Sequence, residues 1–494
     1  AQKSEIGSLR KALVRKGAKI ETAATPAPVA PPAPAPLESK VADQQVQIDA
    51  MVAKFDAAQN DAKITKADSA RLGMSGARPS FSSADGRFTM AIRAIGQLDT
   101  GYYMQSAKAN TLAAANGPDL SSGTNFRRVQ LGFQGKVFGD WSYFFNYDFG
   151  GSGGTETPGH IQSAYIEYDG ISNLAVRIGA FAPSAGLEDN TGAADTMFLE
   201  RNSPSDLARN IAGGDGRTGI GVIYTGDGLY GALTLTGDKV QDSGAFDEQQ
   251  ALLGRLSGLV YSDNDTKLVL SGNGTYVFRV ADTAAGPGAA RNITLSDPPE
   301  LTVDNTGTKL VSSGSLNAEN VWEWGLESGA QWRSLYGQAG YFAYGVGQRG
   351  ASAADNFDGW YAQASWVLTG ESRDYSRASG AFANPKPSEN FSLDGGGWGA
   401  WEIAARYSDL DLNDNAGVAG TNLPTGGIRG GDQGITTIGL NWYPNSVLKF
   451  ELQYQNIVVS RLGAIPATSG HAAITNTSVG QNLDTLALRS QISF

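Results

Sequence analysis

Eight basic residues sit in stretches where apolar and small or polar residues alternate: Arg93, Arg128, Lys136, Arg177, Arg255, Arg406, Lys449 and Arg489. In such a stretch successive side chains point to opposite faces. Where Val176 and Ile178 face one side, Arg177 faces the other. An unpaired charge on the lipid face of a membrane strand costs ~2–4 kcal/mol near the midplane, so inward placement is nearly forced. Two uses are open for an inward base. It pairs with acids on neighbouring strands and braces a wall, or it contacts a permeating anion. The same parity sends Asp148, Glu167, Glu323, Glu327, Glu402 and Glu451 inward, so partners for bracing exist.

Residues that carry enzyme chemistry are sparse. The two histidines, His160 and His471, lie near no Ser/Asp grouping, and there is no Cys. No GxSxG, HExxH or phosphate-loop pattern occurs, so no enzymatic activity is expected. Asp409, Asp411 and Asp414 offer oxygen ligands for Ca²⁺. Their spacing is not that of an EF-hand, and a solvated turn after a strand is the plainer reading. No cofactor is therefore expected.

The elements that must position these groups are strands. Gly is abundant at 64 residues, Trp, Tyr and Phe number 9, 18 and 19, and charged residues are 18% of the chain. No apolar run reaches the ~18 residues of a membrane helix. From about residue 80 a period of two dominates. Val129–Val137 alternates, a Phe138-Gly139-Asp140 turn follows, and Trp141–Phe149 puts Tyr143, Phe145, Tyr147 and Phe149 on one face. Similar alternation recurs to the end, where Leu486, Leu488, Ile492 and Phe494 share a face. A terminal aromatic on such a strand resembles the assembly signal of outer-membrane barrels, which makes Phe494 the candidate signal residue. At roughly 50 residues per pair of strands, the 80–494 region holds ~16 strands. The expected fold is all-β: a ~16-stranded antiparallel outer-membrane barrel.

The region before residue 80 differs. Residues 1–22 are basic, with Lys11, Arg15, Lys16 and Lys19, and residues 23–36 form a Pro/Ala-rich linker expected to be extended. Within 37–70, Leu37, Val41, Ile48, Met51 and Phe55 follow steps of four and three, with Gln44 at one seam position. This predicts a short coiled-coil helix, with an amphipathic helix on the barrel rim as the other reading. The chain starts at Ala1-Gln2 without a basic-then-apolar leader, as expected of a mature exported chain. A net charge of −11 argues against nucleic-acid binding.

The segments FRRVQLGFQGKVFGDWSYFFNYDFG at 126–150, IQSAYIEYDG and LAVRIGAFAP within 161–183, and SAGLEDNTGAADTMFLERNSPSDLA after them occur in order. LTGESRDY at 368–375 and GAWEIAARYSDLDL at 399–412 follow. Together they resemble the phosphate-selective porin O and P family over roughly 80–494. The resemblance implies a homotrimer of 16-stranded barrels, each with its third loop, about 182–218, folded into the lumen. It implies passage of anions, phosphate among them, along basic side chains. Arg201, Arg209 and Arg217 then become candidate constriction residues, with loop bracing as the alternative use. Glu188 and Glu200 in that loop are candidates for pinning it to the wall. Arg93, Arg128, Lys136, Arg177 and Arg406 would form the approach.

The expected function is passive diffusion of small solutes, anions such as phosphate, through the outer membrane, with the N-terminal region in the periplasm. The other reading is a general porin that also tethers the membrane to peptidoglycan or a periplasmic protein through residues 1–22. Membrane lipid and lipopolysaccharide are the expected surroundings.

Overall fold

The computed structural model describes residues 36–68, 70–75, 77–105, 119–151, 159–241, 244, 246–351, 353–465 and 474–494. The basic segment 1–22, nearly all of the Pro/Ala linker, and His471 lie outside them. The chain divides into two compact units, residues 1–68 and 69–494.

Among the described residues of the first unit, one helix, α1, runs from Pro36 to Asp68. Its 33 residues extend ~50 Å at ~1.5 Å per residue. Val41, Met51 and Phe55 are exposed, and Ile48 sits at the margin of exposure. Val46 and Val52, which fall off the seam, are exposed too.

The second unit holds a closed barrel of 16 antiparallel strands. They are β1 Thr89–Met104, β2 Gly123–Val137, β3 Trp141–Asp148, β4 His160–Ile171, β5 Leu174–Phe181, β6 Arg217–Thr225, β7 Leu229–Lys239 and β8 Gln250–Ser262. They continue as β9 Thr266–Arg279, β10 Leu316–Trp332, β11 Leu335–Gln348, β12 Ala354–Val367, β13 Ala400–Asp414, β14 Ile428–Tyr443, β15 Leu448–Ser460 and β16 Gln481–Ser493. Closure comes from β16 against β1, with Leu488 opposite Thr100. Phe494 extends the seam: its N–H donates to the Ala94 carbonyl at 3.0 Å and its carbonyl accepts from the Ala94 N–H at 3.1 Å.

Strand β10 displays the pattern that builds the wall. Trp324, Leu326, Ser328, Ala330 and Trp332 face outward, while Glu323, Glu327 and Gln331 are buried inside. The two Trp residues lie eight positions apart, ~27 Å of strand at ~3.4 Å per residue, close to the ~25 Å height of an apolar membrane band. Other outward aromatic pairs, Trp141–Tyr168, Trp360–Tyr407 and Trp401–Trp442, add to the belts.

Turns at one end of the barrel are short. At Phe138-Gly139 both residues have positive φ, 55° and 88°, the geometry a two-residue hairpin turn needs. One connection at that end is long, residues 368–399. At the other end, residues 182–216 and 280–315 are long connections. All three fold into the barrel and bury apolar side chains there. Leu207, Ala208 and Ile211 pack with Leu301, Val303 and Val311 against Phe342, Leu410 and Ile457 of the wall. Leu187, Met197 and Phe198 pack with Ala381, Phe382 and Tyr336 in a second cluster. The hydrophobic core therefore lies inside the barrel, where inserted loops meet the inner wall.

The Asp run departs from the sequence reading. Asp409, Asp411 and Asp414 belong to strand β13 and not to a turn after it. Asp411 stands opposite Asp358 of β12 and Asp432 of β14, so these carboxylates share a rung of the wall. No group of three or more acids or histidines is arranged to hold a metal ion among the described residues.

Candidate functional site

The 182–216 loop is fastened to the far wall by the inward bases. Arg406 Nη1 donates to the Glu200 carbonyl at 3.0 Å. Lys449 Nζ donates to the Thr196 carbonyl, and Arg489 Nη1 to that of Leu199. Buried amides join in: Gln453 accepts from the Leu199 N–H and Asn441 donates to the Met197 carbonyl. Each base also holds an acid. Arg489 grips Asp99 with two bonds of 2.6 and 2.7 Å, Lys449 lies 2.9 Å from Glu451, and Arg406 pairs with Glu300. Their charges are spent on bracing the loop.

Arg255 does the same for the connection at the short-turn end. Its guanidinium donates to the carbonyls of Ser379 and Gly380, both at 2.8 Å. Gly380 has φ 58°, and a Cβ there would come within 2.7 Å of Tyr230, so the tip requires glycine. Arg373 of this connection forms a fully buried pair with Glu402, at 2.7 and 2.8 Å.

The remaining predicted bases are spread along the inner wall. Arg128 donates to Gln97 at 2.8 Å. Arg177 pairs with Glu167 at 2.8 Å and stacks on Tyr165. Arg93 lies over Phe144, and Lys136 pairs with Asp169 at 2.9 Å near the short-turn end.

Where the two long-end loops meet, they enclose a cavity of ≈ 190 Å³. The 182–216 loop contributes Glu200, Arg201, Asp206, Arg209, Asn210 and Asp215. The 280–315 loop contributes Asp297, Pro298, Glu300, Thr302 and Lys309. The wall adds Arg127, His160 and Lys239, with Gln241 just past β7.

Helix α3 is central to this geometry (α2 is the single turn Leu187–Asn190 before it). It spans Ser203–Ala212, with Pro204 in the first turn. Its N-cap Asn202 accepts from the Ser205 N–H at 2.9 Å. Leu207, Ala208, Ile211 and Ala212 form the buried apolar stripe, leaving Asp206, Arg209 and Asn210 toward the cavity.

Arg201 and Arg209 converge on Asp189, at 3.4 and 2.7 Å, and Arg209 also reaches Asp215 at 2.7 Å. Burial pushes the Asp215 carboxyl up, but Arg209, Arg201 and Arg128 outweigh it and hold it below the usual carboxylate range. Glu200 behaves alike: burial is overcome by Arg127, Arg128 and Arg489. Asp297 goes the other way. Burial, then Asp206 and Glu300 beside it, push its carboxyl well up against the pull of Ser203 and Lys309.

Three placements differ from the sequence reading. Arg217 is the first residue of β6, not part of the loop, and it is absent from the cavity lining. It donates to the carbonyls of Gly213 and Gly237 and meets Asp238 at 3.3 Å. Arg127 is the wall residue that alternation misses. A bulge at Gln97/Leu98 of β1 leaves it as the extra residue of β2, so Arg127 and Arg128 both turn inward. The third is the 280–315 loop, which supplies five of the fifteen lining residues and which the sequence reading did not single out. Its signal was the recurrence of Leu and Val, at 295, 301, 303, 310 and 311, in a segment too long for a plain surface loop.

A family model described as phosphate-selective porin O and P matches residues 100–463. Porin O of Pseudomonas aeruginosa is 27% identical over 346 residues, 67% of this chain and 75% of that protein. An uncharacterised protein of Caulobacter vibrioides is 26% identical over 487 residues, 95% of this chain and 86% of that one. Among solved structures, OmpT of Vibrio cholerae aligns with a TM-score of 0.48 at 9% identity, over 83% of this chain and 98% of that one.

Proposed function

The chain belongs to the phosphate-selective porin O and P family, and from that membership we propose that the outer-membrane channel it forms favours small anions, phosphate among them. The observation that carries this reading is the convergence of Arg201 and Arg209 on one cavity between the inserted loops. Arg presents planar donors that match oxyanion geometry. Five basic residues, Arg127, Arg201, Arg209, Lys239 and Lys309, line the cavity against five acids, Glu200, Asp206, Asp215, Asp297 and Glu300. Asp297 is the acid whose environment resists ionisation. With it neutral, the lining carries a surplus of positive charge, and a constriction of low dielectric magnifies that surplus.

In this reading the barrel is a homotrimer, with the short-turn end and the N-terminal region in the periplasm and the long loops outside. Helix α1 supplies a seam for three chains. The basic 1–22 segment reaches a carboxylated partner such as peptidoglycan. Adding phosphate to purified channels in a planar bilayer carrying chloride current tests the proposal. A phosphate-dependent block of that current is expected. A current indifferent to phosphate would leave a general porin.

A further inference from the structure

Most charges around the cavity are matched. Glu200 accepts from Arg127 at 2.6 Å, and Glu300 accepts from Ser408 and the Ser203 N–H. Asp297 stands apart. It is 2% exposed, it lines the cavity, and its Oδ1 has no hydrogen-bond donor among the described residues. Buried acceptors are rarely left so, because the lost hydration is not replaced. A second unmatched atom lines the same cavity. Arg201 Nε makes no hydrogen bond, and its contact with Asp189 is a long 3.4 Å.

Asp297 and Arg201 belong to opposite clusters. Asp297 neighbours Asp206 and Glu300, while Arg201 shares Asp189 with Arg209. Asp206 and Arg209 are three residues apart on α3, hence adjacent on its surface, ~5–6 Å between Cβ atoms. The acidic and basic clusters therefore adjoin, about one helical turn apart. The cavity of ≈ 190 Å³ far exceeds the ~10–15 Å³ that one water needs.

We propose that this cavity is a binding site for small zwitterions, solutes carrying an oxyanion and a primary ammonium one short carbon chain apart. The oxyanion lies on Arg201 and its basic neighbours, and the ammonium donates to Asp297 Oδ1. This deepens the anion reading above and rests on it. A plain oxyanion satisfies Arg201 but offers Asp297 no donor. An ammonium supplies the donor that Oδ1 lacks, and its positive charge lets a carboxyl otherwise held neutral by burial and two neighbouring acids ionise against it.

The test compares two probes as blockers of chloride current through the full-length protein in planar bilayers. One is 2-aminoethylphosphonate and the other is ethylphosphonate, the same oxyanion without the amine. The wild type should need about tenfold less of the amino compound for half block, a difference worth one decade in affinity. Asp297→Asn should bring that ratio to about one, and Asp297→Glu should retain a preference for the amine. Equal block by both probes in the wild type, or a ratio unchanged in Asp297→Asn, overturns the inference while the anion reading stands. A wild type blocked by neither probe and selective for cations overturns both.

Discussion

Arg127 and Arg128 are consecutive, yet both side chains enter the lumen, where Arg127 holds Glu200 at 2.6 and 3.1 Å while Arg128 donates to Gln97. The bulge in β2 makes this possible. It places a second guanidinium at the point where the 182–216 loop is pinned.

Arg127→Gln should therefore loosen the loop. Removing one partner of a buried pair strands the other charge and costs about 3–5 kcal/mol. Glu200 keeps Arg489 at 3.2 Å, so the loss should be local, not global. Single-channel records should gain open-state noise and a larger conductance. Arg128→Gln should have the smaller effect, because the two bonds from Arg127 to Glu200 remain in place.

Arg373 and Glu402 should matter for stability. Both are fully buried and are joined by two hydrogen bonds. Arg373→Gln alone should lower the temperature at which the barrel unfolds, by losing about 3–5 kcal/mol. Adding Glu402→Gln should restore part of it, since no charge is then left alone. A double variant less stable than the single one by the full amount would contradict this. Heat-dependent gel mobility and circular dichroism both read the outcome.

Selectivity should depend on pH through Asp297. Its raised pKa means the carboxyl stays neutral through the ordinary carboxylate range and ionises only as pH rises above it. Ionisation adds a negative charge to the cavity lining, next to Asp206 and Glu300 and opposed by Lys309. Anion preference should therefore fall as pH rises. Asp297→Asn should flatten the trend in reversal potentials recorded at stepped pH, and a wild-type trend of the opposite sign would contradict the assignment.

The wall was legible in the sequence because alternation is a local property. Each of Arg93, Arg177, Arg255, Arg406, Lys449 and Arg489 could be assigned a face from its two neighbours alone. Arg127 could not, since a bulge breaks the parity on which that inference depends. Nor could the use made of the bases. Whether Arg406 meets an ion or braces a loop depends on the Glu200 carbonyl, 206 residues away in sequence. The 280–315 and 368–399 insertions were hidden for the same reason. Their folds are set by contacts with the wall, such as Val303 over Gly101 and Gly380 against Tyr230. Arg217 was assigned to the loop by resemblance and proved to start a strand.

The α1 seam makes a separate prediction. If the barrel is the homotrimer proposed above, three α1 helices tethered to it have a high local concentration, which compensates for a weak seam. Ile48→Cys should cross-link neighbouring chains under mild oxidation. Channels that conduct normally while their cysteines stay monomeric would remove the coiled coil and leave the barrel untouched.

The most direct test of anion preference is the reversal potential of the wild-type channel in asymmetric KCl. Its sign should indicate anions over cations despite the net charge of −11, because distant loop charges are screened beyond about 8–10 Å. Arg201→Glu, at the cavity, should move the potential toward cations. Arg217→Gln, away from the cavity lining, should move it far less. A cation-selective wild type, or a potential unmoved by Arg201→Glu, would contradict the account.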